Sequence, residues 1–174
     1  PEPSPVLRAY EPSLPDGRAL DVAAGTGRNA VYLADRGHDV DALDASAEGL
    51  RIVRERAAER GNADRVEAIR GDVATYGFPA ETYAVITMSY FHALDRFTDL
   101  IAALEPGGYL YVEGHLPSAE PSPSGPSADS YRFAANALLR AGLGLSVRSY
   151  AATTTERPGD RRRNVSALPR GRHQ

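Results

Sequence analysis

The spacing of apolar positions changes several times along this chain, and each change marks an element. Ala19–Val22 and Tyr83–Met88 are short, nearly continuous apolar runs, the signature of strands covered on both faces. His38–Asp44, Val66–Arg70 and Tyr109–Glu113 read as three further strands. Between strands the interval lengthens. Ala30, Val31, Leu33 and Ala34 recur at helical spacing over Thr26–Arg36, and Gly37 closes that helix. Ser46 caps a second helix, whose stripe is Leu50, Ile52, Val53 and Ala57 and whose stop is Gly61. Residues 4–10 predict a short leading helix with Ser4 as cap and Pro5 in the first position. Phe97–Leu104 predicts another, broken by Glu105-Pro106-Gly107-Gly108, and Tyr131–Ala141 a last one. Leu145–Tyr150 and Asn164–Leu168 then pair antiparallel around a Pro158-Gly159 turn.

Strands alternating with helices of about ten residues are βαβ units, so the pattern predicts an α/β fold: a mostly parallel sheet with helices on both faces. Nothing along the chain marks a domain boundary, and 1–174 reads as a single domain. Residues 1–14 form a leading segment that begins without Met and reads as truncated. Residues 117–130, with four prolines and five serines, read as a flexible loop.

Composition narrows the chemistry. The absence of cysteine excludes disulfides, thiolate metal sites and a cysteine nucleophile. The four histidines include no pair at i, i+4, which argues against a zinc site, and no metal is expected. All 20 basic residues are arginine, yet the net charge is −3, which argues against a nucleic-acid partner. The run Arg161-Arg162-Arg163 beside a turn reads as a solvated hairpin end rather than a ligand clamp. No apolar stretch approaches the roughly 20 residues that span a bilayer, and no basic-then-apolar leader is present. A cytoplasmic protein without membrane contact is expected.

The densest chemical signal is Leu20-Asp21-Val22-Ala23-Ala24-Gly25-Thr26-Gly27-Arg28-Asn29, a strand running through two glycines into a helix. Such a turn lets backbone approach a nucleotide closely and aims a helix N-terminus at it. Two ligands fit. Gly25-x-Gly27-x-x-Ala30, with Asp44 at the end of the next strand, satisfies the relaxed dinucleotide fingerprint. That reading leaves Asp21 and Asp72 without a role, and the chain has no room for a second, substrate domain. A nucleoside ligand bearing an ammonium group uses all of them: Asp21 beside the turn, Asp44 at the second strand end, and Asp72 after the third, beside an adenine edge. Each acid also has a purely structural reading, Asp44 as a helix cap and Asp72 as a turn former.

The series Leu20–Gly27, Asp44, Gly71-Asp72-Val73 and Glu105-Pro106-Gly107-Gly108 resembles a class I S-adenosylmethionine-dependent methyltransferase over roughly residues 15–170. Gly27-Arg28-Asn29-Ala30-Val31-Tyr32-Leu33 resembles the tellurite-resistance and thiopurine methyltransferase-like branch. Ala23 departs from the pattern, standing where that family usually has its first glycine. The resemblance implies a three-layer αβα sandwich around a mostly parallel seven-stranded sheet, a Rossmann-like methyltransferase fold with a C-terminal antiparallel hairpin. It implies S-adenosyl-L-methionine as cofactor and methyl transfer to a small-molecule acceptor by in-line displacement. Asp21 and the backbone of Ala23, Ala24, Gly25 and Gly27 would face the methionine portion, with Arg28 pairing its carboxylate. Asp44 would hold the ribose hydroxyls beside Ala45. Asp72 and Val73 would read the adenine, and Met88 and Ser89 would flank the methyl donor.

For a hydroxyl or amine acceptor a general base is needed, and Tyr90, His92 and His115 are the candidates because they follow the fourth and fifth strands. Each has a bland alternative, Tyr90 and Phe91 as pocket walls and His92 as a ring packed on the sheet rim. The rival functions are an NAD(P)-type or other nucleotide binder and a non-catalytic module of the same fold. A monomer or homodimer is expected.

Overall fold

In the computed structural model, which describes residues 2–115, 136–142, 145–157 and 160–170, seven strands form one sheet in the order β3-β2-β1-β4-β5-β7-β6. The strands are β1 (Ala19–Val22), β2 (Val40–Asp44), β3 (Val66–Arg70), β4 (Tyr83–Ser89), β5 (Leu104–His115), β6 (Ser146–Arg157) and β7 (Asp160–Arg170). The first five pair in parallel, and β7 runs antiparallel to both β5 and β6. The helices are α1 (Pro5–Tyr10), α2 (Arg28–Asp35), α3 (Ala47–Glu59), α4 (Phe97–Ala103) and α5 (Ala137–Ala141). The 117–130 loop, the expected helical residues 131–135 and the Pro158-Gly159 turn lie outside the described residues.

Period-2 alternation in the strands builds the three layers. Leu20, Val22, Ile86, Met88, Leu110 and Val112 point to one face and pack with Phe97 and Leu100 of α4 and Leu138 of α5. Ala19, Val40, Ala42 and Val85 point to the other, against Ala30, Val31, Leu33 and Ala34 of α2 and Val53 and Ala57 of α3. On that second face Leu7 of α1 closes over Tyr111 of β5, both fully buried. The polar side chains Asp21, Thr87 and Glu113 fall in the same alternation as Ala19, Val85 and Tyr111. They therefore sit under α1 and α2 rather than under α4.

Several boundaries differ from the sequence reading. Strand β5 starts at Leu104, because Glu105-Pro106-Gly107-Gly108 is a bulge inside the strand: Tyr83 pairs with Leu104, and the register resumes at Val85 with Tyr109. Gly107 takes φ +83° there. Strand β2 begins two residues late, as the His38 ring turns to the Gly17 carbonyl at 2.9 Å. Helix α2 starts at Arg28 because Gly27, at φ +77°, ends the preceding turn. Ser4 precedes α1 as expected but does not cap it with its side chain. Its hydroxyl is spent on Tyr111, 2.5 Å away, and on Glu113, 3.0 Å away.

Candidate active site

Every strand of the parallel set ends at the same edge, and the β1–α2 turn lies across it. Ala23, Gly25 and Gly27 all adopt positive φ, of 55°, 56° and 77°. The turn is closed on itself by Gly27 N–H donating to the Ala24 carbonyl at 2.8 Å. It is tied to β2 by Ala24 N–H donating to the Leu43 carbonyl. A Cβ on Gly25 would meet nothing within 4 Å, so that glycine faces open space. A Cβ on Gly27 would lie 2.8 Å from Val53 Cγ2, so the second glycine lets the start of α2 lie close against α3.

Beside this turn is a cavity of about 260 Å³ lined by Ala23, Asp44, Ala45, Gly71, Asp72, Val73, Ser89, Tyr90 and Phe91. Four strand ends thus contribute, and seven of the residues singled out from the sequence meet in one place. Asp44 is the hinge of the arrangement. Its Oδ2 accepts from Gly25 N–H at 2.7 Å and its Oδ1 from Ser46 N–H at 2.8 Å. Asp44 thus orients the glycine turn and holds Ser46, the residue that caps α3, while lining the cavity. Asp72 accepts from Ala74 N–H at 2.9 Å, an Asx turn that presents the 71–73 backbone.

Other expected residues take different places. Asp21 is buried beneath the turn, its Oδ1 accepting from the Thr87 hydroxyl at 2.7 Å and its Oδ2 from Ala30 N–H at 3.1 Å. It caps the first turn of α2 from below instead of facing the cavity. Desolvation pushes its carboxyl up to about 6, against the lowering pull of the Thr87 and Ala30 hydrogen bonds. Arg28 is committed to Glu113 in an ion pair, so its charge is already answered within the protein. Met88 is fully buried in the core cluster and its side chain does not flank the cavity; strand alternation turns it inward while Ser89 turns out. His92 and His115 are not among the lining residues, but the His115 ring lies 4.8 Å from that of Tyr90. Arg28 and Gly27 line a second hollow of about 200 Å³ on the far side of α2.

Three residues that sequence reasoning passed over hold the site together. Arg96 donates to the carbonyls of Val73 and Ala74, both at 2.6 Å, and of Tyr76 at 2.8 Å, which pins the loop carrying Asp72. Asn29 donates to the Ser89 hydroxyl at 2.9 Å. Glu113 lies two residues before the end of β5, and its buried carboxylate gathers Arg28 and Ser4. Burial, together with the Glu113 charge, pushes the neighbouring Tyr111 hydroxyl upward and keeps it protonated. An acid at a strand end was the signal that marked Asp44 and Asp72, and Glu113 carries the same signal. No group of three or more His, Asp or Glu side chains among the described residues is placed to hold a metal ion. No helix among them is long and apolar enough to cross a membrane.

Residues 19–108 match the family model of a methyltransferase domain. The demethylmenaquinone methyltransferase of Thermobifida fusca is 36% identical over 107 residues, 56% of this chain and 44% of the relative. Among solved structures, TehB from Haemophilus influenzae superposes with a TM-score of 0.79 at 20% identity, over 96% of this chain and 61% of that one. The geranyl diphosphate C-methyltransferase of Streptomyces coelicolor, solved with S-adenosyl-L-homocysteine, superposes with a TM-score of 0.75 at 15% identity, over 95% and 76%. The chain spans about 40 to 50% of the length of the curated relatives it matches. With over half its residues inside the family model, and with the sheet and glycine turn described above, the chain belongs to the class I S-adenosylmethionine-dependent methyltransferase family.

Proposed function

We propose that this chain binds S-adenosylmethionine in the cavity at the strand ends and directs its methyl group to a small-molecule acceptor. The observation that carries the reading is the convergence of Ala23, Asp44, Asp72 and Val73 on one cavity, with Asp44 holding the N–H of Gly25. The groups present suit an adenosine. Asp44 offers carboxylate lone pairs for a pair of vicinal hydroxyls. The Asp72-Val73 segment offers a carboxylate and backbone at an adenine edge, and the open side of Gly25 admits a close approach. When bound, S-adenosylmethionine supplies an electrophilic methyl on a sulfonium. The protein's part is to align donor and nucleophile and to keep water out, because no covalent enzyme intermediate is required. Ser89, Tyr90 and Phe91 form the wall at the end of β4 that faces the remaining space. Tyr90, with the His115 ring tilted against it, is the candidate group for accepting a proton from a hydroxyl or amine acceptor.

Thermal-shift titration tests the reading. S-adenosylhomocysteine is expected to raise the melting temperature in proportion to the logarithm of its concentration, and NAD to leave it unchanged. Asp44→Ala should weaken S-adenosylhomocysteine binding by about 1–3 kcal/mol in isothermal titration. Stabilisation by NAD alone would overturn the proposal in favour of a dinucleotide site.

A further inference from the structure

Two chains of contacts run from the N-terminal segment to the wall of the cavity. In the first, the fully buried Ser4 hydroxyl donates to Glu113 Oε2 at 3.0 Å, and Glu113 Oε1 accepts from the Arg28 guanidinium. That guanidinium lies 5.3 Å from the centre of the Tyr90 ring. In the second, Ser4 N–H donates to Asn29 Oδ1 at 3.3 Å, and Asn29 Nδ2 donates to the hydroxyl of Ser89. Both routes end on adjacent residues of the cavity wall.

Tyr90 is also held in a conformation that a side chain rarely adopts, with φ +57°. Its N–H donates to the Glu113 carbonyl at 2.8 Å, so Glu113 fixes Tyr90 through its backbone as well as through Arg28. A tyrosine in the left-handed region stays there only where its surroundings over-determine it. Here those surroundings include a residue from the very start of the described chain.

We infer that Ser4 and Glu113 are positioning residues that set the Tyr90–Ser89 wall through Arg28 and Asn29, making the N-terminal segment a working part of the site. The idea builds on the proposed function only for what the wall serves. The linkage itself is a property of the protein alone. Ser4 lines neither hollow described above, so a change there reaches Tyr90 through its contacts with Glu113, Asn29 and the Tyr111 hydroxyl.

Fluorine NMR of the full chain labelled with 3-fluorotyrosine tests it, with the Tyr90 signal assigned from Tyr90→Phe. Ser4→Ala should move the Tyr90 signal together with that of Tyr111, leave Tyr83 in place, and weaken S-adenosylhomocysteine binding roughly three- to tenfold. Ser4→Thr, which keeps the hydroxyl, should restore both signal and affinity. Glu113→Gln should produce the larger displacement of Tyr90. Should that variant not fold, the Ser4 pair decides. A Tyr90 signal unmoved in Ser4→Ala, while Tyr111 shifts, overturns the inference. If the unaltered protein does not bind S-adenosylhomocysteine, the methyltransferase reading falls, and the Tyr90 signal alone decides the linkage.

Discussion

Asp21 shows why a residue's place in a motif and its contacts must be argued separately. It stands at the end of β1, where a carboxylate is expected to meet a ligand. Instead, both oxygens are engaged by Thr87 and Ala30, and it is almost fully buried. Burial dominates its titration and raises the carboxyl from 3.8 to about 6. A raised acid is a group that binds its proton more tightly when folded. Between about pH 4 and 6 the folded state then holds more protons than the unfolded one, and stability falls as pH rises through that window. The shift corresponds to roughly 3 kcal/mol lost above pH 6. Asp21→Asn keeps an oxygen for Ala30 N–H and removes the charge. Urea denaturation across pH 4–7 should show the variant more stable than the parent at pH 7 and its pH slope flattened. Equal slopes in the two proteins would show that Asp21 titrates near its ordinary value.

At the scale of elements, the β1–α2 turn is where local sequence and local strain disagree. Three of its residues have positive φ, and one is an alanine. The left-handed region costs a Cβ-bearing residue about 1–2 kcal/mol, while glycine adds an entropic penalty of about 0.5–1 kcal/mol in the unfolded chain. Ala23→Gly should therefore stabilise slightly, by about 0.5–1 kcal/mol. Gly27→Ala should do the reverse, by about 2–4 kcal/mol, since its new Cβ is both left-handed and pressed against Val53. Denaturant midpoints of the two variants, read side by side, check the assignment; a destabilised Ala23→Gly would contradict it. The same comparison shows what a sequence reveals of an element. β1 runs over the residues its apolar pattern marks, because all four of its side chains are buried, and β3 also keeps its expected bounds. The Glu105–Gly108 segment reads as a helix-to-strand break because its turn chemistry is local. Whether a proline-glycine segment ends a strand or bulges within it is decided by the partner strand, here β4.

For the molecule as a whole, the legible part of the site is the part drawn from strand ends in sequence order. Asp44, Asp72, Val73 and Ser89 each follow a strand, and the parallel sheet brings all such ends to one edge. The roles of Ser4, Asn29 and Arg96 were not legible. Their roles arise between residues 20 to 109 apart, and no local pattern encodes which helix covers which strand. The leading helix is the clearest case. The sequence allows α1 but does not say where it docks, whereas in the structure Leu7 is sealed against Tyr111 in the middle of the sheet, with Val6, Tyr10, Leu14 and Tyr32 around them. If α1 is part of the folded unit rather than an appendage, removing the Leu7 side chain must weaken the whole sheet. Leu7→Ala should cost about 2–5 kcal/mol and lower the melting temperature by on the order of 10 °C. The loss should fall on one cooperative transition, seen alike by far-ultraviolet circular dichroism and tyrosine fluorescence. Val147, exposed on β6, is the control, and Val147→Ala should change stability by no more than about 0.5 kcal/mol. A Leu7→Ala protein melting with its parent would detach α1 from the core. The Ser4 contacts would then have no rigid element behind them.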